Sequence, residues 1–194
     1  MKKQRFSFMI FVSVALCFSI GKAKGQPFPS EPTARLGKGT IHDMAYSPDE
    51  KLFAVAGSLG VWLYDAKTLK EIGRFEGRSE QIDFSRDGKL LASSSADAAI
   101  RLWDVEAQKQ VGLLEGHTPG RAPGLAFTPD GRWLASGGWS EIILLWDVEA
   151  EQQVGQLDGF GLIAMSPNGN FLALRGAGGI GLWNVETQQL MGRY

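Results

Sequence analysis

Four copies of one short turn set the main constraint on this chain. Ser47-Pro48-Asp49-Glu50 recurs as Ser85-Arg86-Asp87-Gly88, Thr128-Pro129-Asp130-Gly131 and Ser166-Pro167-Asn168-Gly169, at spacings of 38, 43 and 38 residues. A second marker follows each turn: Tyr64-Asp65, Trp103-Asp104, Trp146-Asp147 and Trp183-Asn184. A third comes after that: Ile72-Gly73-Arg74-Phe75, Val111-Gly112-Leu113-Leu114, Val154-Gly155-Gln156-Leu157 and Leu190-Met191-Gly192-Arg193. A period near 40 residues is the signature of stacked supersecondary units, each unable to bury its apolar faces alone.

Between the markers the sequence predicts strands. Ile82-Asp83-Phe84 leads into a turn and Leu90-Leu91-Ala92-Ser93-Ser94 leads out; Ile100-Arg101-Leu102-Trp103 and Gln110-Val111-Gly112-Leu113-Leu114 complete the unit. These are short apolar or β-branched runs bounded by Gly, Pro, Asp and Asn. In the turns Pro fixes φ, Asp or Asn follows, and Gly supplies φ > 0, which suits a connection between adjacent antiparallel strands. Each unit is therefore a four-stranded antiparallel meander. Successive side chains alternate between faces, so Leu90 and Leu91 point to opposite sides, as do Leu102 and Trp103. Radial stacking buries both faces, which is the propeller solution. The fold class expected is all-β, with four propeller blades in an incomplete or open ring.

Trp103-Asp104, Trp146-Asp147, Leu91-Ala92-Ser93, Leu134-Ala135-Ser136 and Gly116-His117 carry a resemblance to the WD-repeat β-propeller family across about residues 33–194. Repeats dense in Ser-Pro-Asp-Gly and Leu-Ala-Ser resemble those of bacterial multi-repeat exported members. The resemblance implies a rigid ring that binds proteins or peptides on its faces and rim, usually without catalysis. It also implies structural roles for Asp65, Asp104, Asp147 and Asn184 at the strand ends, and for His117 and Asp97 in a hydrogen-bond network with Ser and Trp. Here the network is incomplete in every repeat. Ser140 stands where the third repeat would have Asp, and Arg78 where the second would have His. The blades are expected to be held mainly by apolar packing.

The chain is expected to divide into three segments. Residues 1–25 combine a basic start (Lys2, Lys3, Arg5), an apolar run over 6–20 and the small residues Ala23 and Gly25, which reads as a secretory signal peptide cleaved after Gly25. The apolar run is short for a membrane span of about 20 residues; an uncleaved anchor is the alternative. Residues 26–32 hold Pro27, Pro29 and Pro32 and form a Pro-rich linker. Residues 33–194 form the arc, with repeats at about 41–75, 76–114, 115–157 and 158–194. The expected location is exported, periplasmic or extracellular, with no membrane contact beyond the signal. Without residues 1–25 the chain has 15 basic and 21 acidic side chains and no cysteine, Cys17 being the only one. The acidic balance argues against nucleic acid, which draws on basic patches, and an exported domain without disulfides depends on its core.

Constellations for chemistry are sparse. His42 and His117 each open a repeat and read as turn histidines. No convergent metal ligands, calcium loop or nucleophile elbow can be assembled from the sequence. Gly176-Ala177-Gly178-Gly179-Ile180-Gly181 precedes a strand rather than a phosphate-binding helix, so it reads as a hairpin turn. No cofactor is expected and the chain is read as a non-enzyme. Trp139, in the turn before the third strand of its repeat, and Arg121, in the longer loop 118–123, are the candidate partner-binding residues. Trp133 aligns with Leu52, Leu90 and Phe171 and is expected in the core. The chain is thus expected to be a non-catalytic protein- or peptide-binding scaffold. The alternative is a fragment of a larger propeller enzyme or ligand-binding protein whose site lies on missing blades. Residues 33–36 are expected to form a leading strand, and the open end blades to favour self-association.

Overall fold

The computed structural model describes residues 36–118, 124–137, 142–176 and 179–194. Blade 1 is β1 (Ile41–Tyr46), β2 (Leu52–Gly57), β3 (Gly60–Asp65) and β4 (Glu71–Glu76); blade 2 is β5 (Gln81–Phe84), β6 (Leu90–Ser94), β7 (Ile100–Asp104) and β8 (Lys109–Leu114). Blade 3 is β9 (Gly124–Phe127), β10 (Trp133–Gly137), β11 (Ile142–Asp147) and β12 (Gln152–Asp158); blade 4 is β13 (Phe160–Met165), β14 (Phe171–Gly176), β15 (Gly179–Asn184) and β16 (Gln189–Arg193). Each blade is one antiparallel meander in sequence order, and no helix occurs among the described residues. Innermost strands pack in succession, β1 on β5, β5 on β9 and β9 on β13, giving an arc whose ring is not closed.

The recurring turn explains its own composition. The Ser47 hydroxyl donates to Asp49 Oδ1 at 2.7 Å and accepts the Leu52 N–H at 2.9 Å, while Asp49 also accepts the Lys51 N–H at 3.2 Å. Ser85, Thr128 and Ser166 repeat the arrangement with Asp87, Asp130 and Asn168. A hydroxyl is needed because one group must both donate and accept. These bonds, with the hydroxyl's the largest, hold the Asp49 carboxyl down at about 2 and the Asp87 and Asp130 carboxyls below the usual range. The fourth turn position is left-handed throughout, at φ 58° for Glu50, 71° for Gly88 and Gly131, and 75° for Gly169. Glu50 alone carries a Cβ there.

A second turn follows the third strand. Asp65, Asp104, Asp147 and Asn184 each accept the backbone N–H three residues on, capping the turn with a side-chain oxygen. The turn ends on a left-handed residue, Leu69, Gln108, Glu151 or Gln188. A register shift beside Tyr64, Trp103, Trp146 or Trp183 comes next, a bulge that recurs in all four blades.

Three apolar cores lie between the blades. Ala54, Val61, Leu63 and Phe75 of blade 1 meet Ile82, Phe84, Leu91 and Trp103 of blade 2. Ala92, Ile100, Leu102 and Leu114 meet Phe127, Leu134 and Trp146. Ala135, Ile143, Leu145 and Leu157 meet Leu172, Leu174 and Val185. Leu52 packs partly buried against the first core, so Leu52, Val61 and Leu63 face blade 2 and not the open end. Trp183 likewise packs against the core shared with blade 3. The open face of blade 1 instead carries Phe53, Val55, Trp62 and Tyr64, with Leu36 packed on it. Leu36 is not in a strand, and the Gly37 N–H beside it donates to the Tyr64 hydroxyl at 2.8 Å. Residues 33–35, the rest of the expected leading strand, lie outside the described residues.

Candidate functional site

Polar side chains in the arc fall into three groups: those that hold a blade, those that join blades, and those left over for a partner. The first group contains most of the residues the repeats single out. The Trp103 indole N–H donates to Ser93 Oγ at 2.8 Å, and the Trp146 indole to Ser136 Oγ at 2.7 Å. His117 Nε2 lies 2.6 Å from the same Ser136 oxygen. Burial pushes the His117 imidazole below its usual value, and its Nε2 shares a hydrogen bond with the Ser136 hydroxyl, which also accepts from Trp146. Blade 3 therefore has a Trp–Ser–His relay, blade 2 a Trp–Ser pair, and blades 1 and 4 neither, because Val55 and Leu174 replace the Ser. Asp97 takes no part. It accepts the Ala99 N–H and pairs with Arg101 at 2.7 Å, and Arg101 is the largest cause of its lowered carboxyl.

The second group was not visible as function in the sequence. Asp43 Oδ2 accepts the Ile82 N–H at 2.9 Å, and Asp83 Oδ2 accepts the Phe127 N–H at 2.8 Å. These carboxylates tie each inner strand to the next, blade 1 to 2 and blade 2 to 3. Burial raises both carboxyls and takes Asp83 up to about 6, with the nearby Asp43 charge adding to it. His42 Nδ1 bonds the Ser79 carbonyl at 2.8 Å, a further tie between blades 1 and 2. On the outer rim, Gln108 Nε2 donates to the Ile72 carbonyl, Glu151 Oε2 accepts the Leu113 N–H, and Gln188 Nε2 donates to the Val154 carbonyl. Each reaches back across Gly73, Gly112 or Gly155, where a Cβ would collide with the Gln side chains and crowd that of Glu151. The recurring glycine of the third sequence marker was the available signal for these pegs.

The third group centres on a groove of about 370 Å³ between blades 3 and 4. Its walls are two successive hydroxyl-bonded turns and the turn after β15, including Pro129, Arg132, Trp133, Asn168, Asn170 and Glu186. The Arg132 side chain is 68% exposed, lies over the Trp133 ring and is 3.9 Å from Asp147. Trp133 is partly buried against the third core, in line with its expected core role, but its indole N–H is buried without a partner. Arg121 and Trp139 lie outside the described residues, as does Ser140. Among the described residues there is no cluster of three or more His, Cys, Asp or Glu able to hold a metal ion. No helix among them is long and apolar enough to cross a membrane.

Radially stacked four-stranded meanders define a β-propeller architecture. The family model described as WD domain, G-beta repeat matches residues 70–104 and 108–147. A chain in a crystal structure titled Mitotic Checkpoint Complex superposes with a TM-score of 0.70 at 26% identity, covering 79% of this chain and 52% of that one. The target of rapamycin complex subunit wat1 of Schizosaccharomyces pombe is 38% identical over 72 residues, 34% of this chain and 23% of the relative. Actin-interacting protein 1 of Drosophila melanogaster is 32% identical over 99 residues, 48% of this chain and 16% of the relative. Residues 70–104 and 108–147 are WD repeats, and the four blades have the architecture of a WD-type β-propeller. Its matches span less than a quarter of those two curated relatives' lengths.

Proposed function

We propose that this chain is an exported, non-catalytic scaffold that binds a protein or peptide. The observation that carries the binding reading is the groove between blades 3 and 4, a polar cleft on a frame whose turns are locked by their own hydrogen bonds. A rigid cleft spares a partner the ordering cost on the protein's side. Its exposed chemistry is Arg132, Asn170 and Glu186, suited to an extended peptide with amide, carbonyl and charged groups. The names of the similar proteins, complex subunits and an actin-interacting protein, support association as the theme. Arg121 and Trp139 are proposed, on the sequence alone, as partner-binding residues separate from the groove.

Peptide selection on the immobilised protein tests this. Arg132→Ala and Glu186→Ala should each weaken the selected peptides at least tenfold, and Arg86→Ala on blade 2 should not. Equal affinity across the variants would place binding elsewhere. Export is proposed on residues 1–25. Expression of the whole chain in a bacterial host should yield an extracytoplasmic product beginning at Gln26, and an intact chain retained in the cytosol would refute it. A second reading, a part of a larger propeller enzyme or ligand-binding protein, draws on the 52% coverage of the superposed chain. Hydrolase activity lost in His117→Ala would favour it over the scaffold.

A further inference from the structure

The turns after the first and third strands of a blade lie at the same end of its sheet, and three of their positions are polar in every blade. Blade 1 has Asp49, Lys51 and Asp65 there, blade 2 Asp87, Lys89 and Asp104, and blade 3 Asp130, Arg132 and Asp147. These charges answer one another within a blade: Lys51 lies 3.1 Å from Asp49, Lys89 3.8 Å from Asp87 and Arg132 3.9 Å from Asp147. Blade 4 departs at all three positions together, with Asn168, Asn170 and Asn184. All three amides line the groove shared with blade 3. Lys51, Lys89 and Arg132 are 79%, 82% and 68% exposed although another blade follows each of theirs, so exposure here belongs to this end of the sheets and not to the place of blade 4 in the chain.

Asparagine keeps the turn and changes what the turn presents outside. Asn168 Oδ1 accepts the Ser166 hydroxyl at 2.8 Å and the Asn170 N–H at 3.2 Å, the two bonds that Asp49 makes with Ser47 and Lys51. Asn184 Oδ1 accepts the Thr187 N–H at 2.8 Å and the Thr187 hydroxyl at 3.0 Å, as Asp65 does with Thr68. An amide oxygen has two lone pairs, so each of these oxygens is fully used within its own turn, and the bonds also fix which end of the amide is oxygen. The other end is a carboxylate oxygen in aspartate and an NH2 in asparagine. Neither Asn168 Nδ2 nor Asn184 Nδ2 has a hydrogen-bond partner among the described residues, and both are open to solvent. The Asn170 carbonyl accepts the Val185 N–H at 2.9 Å, which sets Asn170 beside Asn184.

A wall of N–H donors calls for acceptors, and the surrounding charge decides which kind. Asp130 and Glu186 line the groove against one cation, Arg132, which is itself beside Asp147. That balance repels a carboxylate and leaves a neutral acceptor the better fit. An extended peptide offers one neutral carbonyl per residue. Pairing it with a neutral amide avoids the desolvation cost that a charge would bring. In the other blades the same carbonyl would meet a carboxylate oxygen, acceptor against acceptor.

We propose that the groove between blades 3 and 4 holds an extended peptide segment by its main chain, Asn168 Nδ2 and Asn184 Nδ2 donating to its backbone carbonyls. Asn170, with both ends of its amide unused, serves a neighbouring carbonyl or N–H of the same segment. Recognition of this kind reads extended backbone and not an acidic side chain. The proposal rests on the groove as the binding site, and it concerns the amides of the groove where the earlier test concerns its charges, so the two can be told apart.

The probe is the tightest member of a random linear dodecapeptide library selected on the full chain, resynthesised with a fluorophore and titrated. Asn168→Asp and Asn184→Asp install the residue of the other blades, keep the inward oxygen and turn the outward donor into an acceptor. Each should weaken the probe at least tenfold with an unchanged thermal melt. Asn184→Ser, which keeps an oxygen for the turn and adds no charge, should weaken it too, and Asp87→Asn on blade 2 should not. The losses should persist in about 0.5 M salt, where exposed charges are screened. Alanine replacement of any acidic side chain of the probe should cost less than the asparagine variants do. Undiminished binding in the asparagine variants while Arg132→Ala and Glu186→Ala weaken it would overturn the main-chain reading and leave the groove standing. Undiminished binding in all of them would overturn both. A loss that vanishes in salt, or a probe that depends on its own carboxylate, would also overturn the proposal.

Discussion

Blades 2 and 3 share a register with blades 1 and 4 but not a chemistry. In the central pair the aromatic residue that ends the third strand is an indole donating to a buried serine. In the outer pair Val55 and Leu174 occupy the serine position; Tyr64 takes the indole's place in blade 1, and Trp183 keeps it in blade 4, less buried than Trp146. A buried polar pair is favourable only where a neighbouring blade excludes water and holds both partners in place. Blades 2 and 3 hold such pairs on the face covered by the preceding blade; blade 4 has the same cover but Leu174 in place of the serine, and blade 1 packs Val55 and Tyr64 with Leu36.

The contrast can be broken most forcefully at the aromatic itself. Trp146→Ala should cost about 3–5 kcal/mol in chemical denaturation, and Trp183→Ala clearly less, since Trp183 is only partly buried. Equal costs would mean that the central and end blades are held alike. Ser136→Ala should cost about 1–3 kcal/mol by leaving Trp146 and His117 without their partner. Ser93→Ala should cost less, because only Trp103 depends on it.

The inner ties are tested by pH. Asp83 is raised by burial to about 6, so its protonated form favours the folded state. The stability linked to it is complete below the unfolded value near 4 and is lost as pH rises through 6. Asp83→Asn should thus be more stable than the wild type at pH 7, by on the order of 2 kcal/mol, with the gap closing by pH 4. His117, lowered by burial, acts in the opposite sense: its contribution is present above its unfolded value near 6.5 and is lost as pH falls below it. A constant gap between Asp83→Asn and wild type from pH 4 to 7 would show that the carboxyl is not buried as described.

The smallest effects belong to the turns. Glu50→Gly should stabilise by about 1 kcal/mol, because a Cβ is strained at its φ of 58°. Gly131→Ala should cost about the same through φ alone, since nothing lies within 4 Å of its would-be Cβ. Gly169→Ala should cost more, because there the Cβ would meet Pro129 Cδ at 2.8 Å. Thermal melts of the three variants order them.

The sequence alone determined the blade. The spacing of Ser-Pro-Asp-Gly and Trp-Asp is local chemistry: a hydroxyl five residues before its amide partner and a carboxylate three residues before its own turn close their loops without reference to anything distant. Faces within a strand followed from alternation, but which face met which neighbour did not, and Leu52, Val61 and Leu63 point inward although they sit on an end blade. The carboxylates of Asp43 and Asp83, the pegs Gln108, Glu151 and Gln188, and the groove at Arg132 and Trp133 came only from the tertiary structure. The partners of those carboxylates and pegs lie some 34 to 44 residues away along the chain, and only the stacking of one blade on the next brings an acceptor within hydrogen-bond reach of its donor.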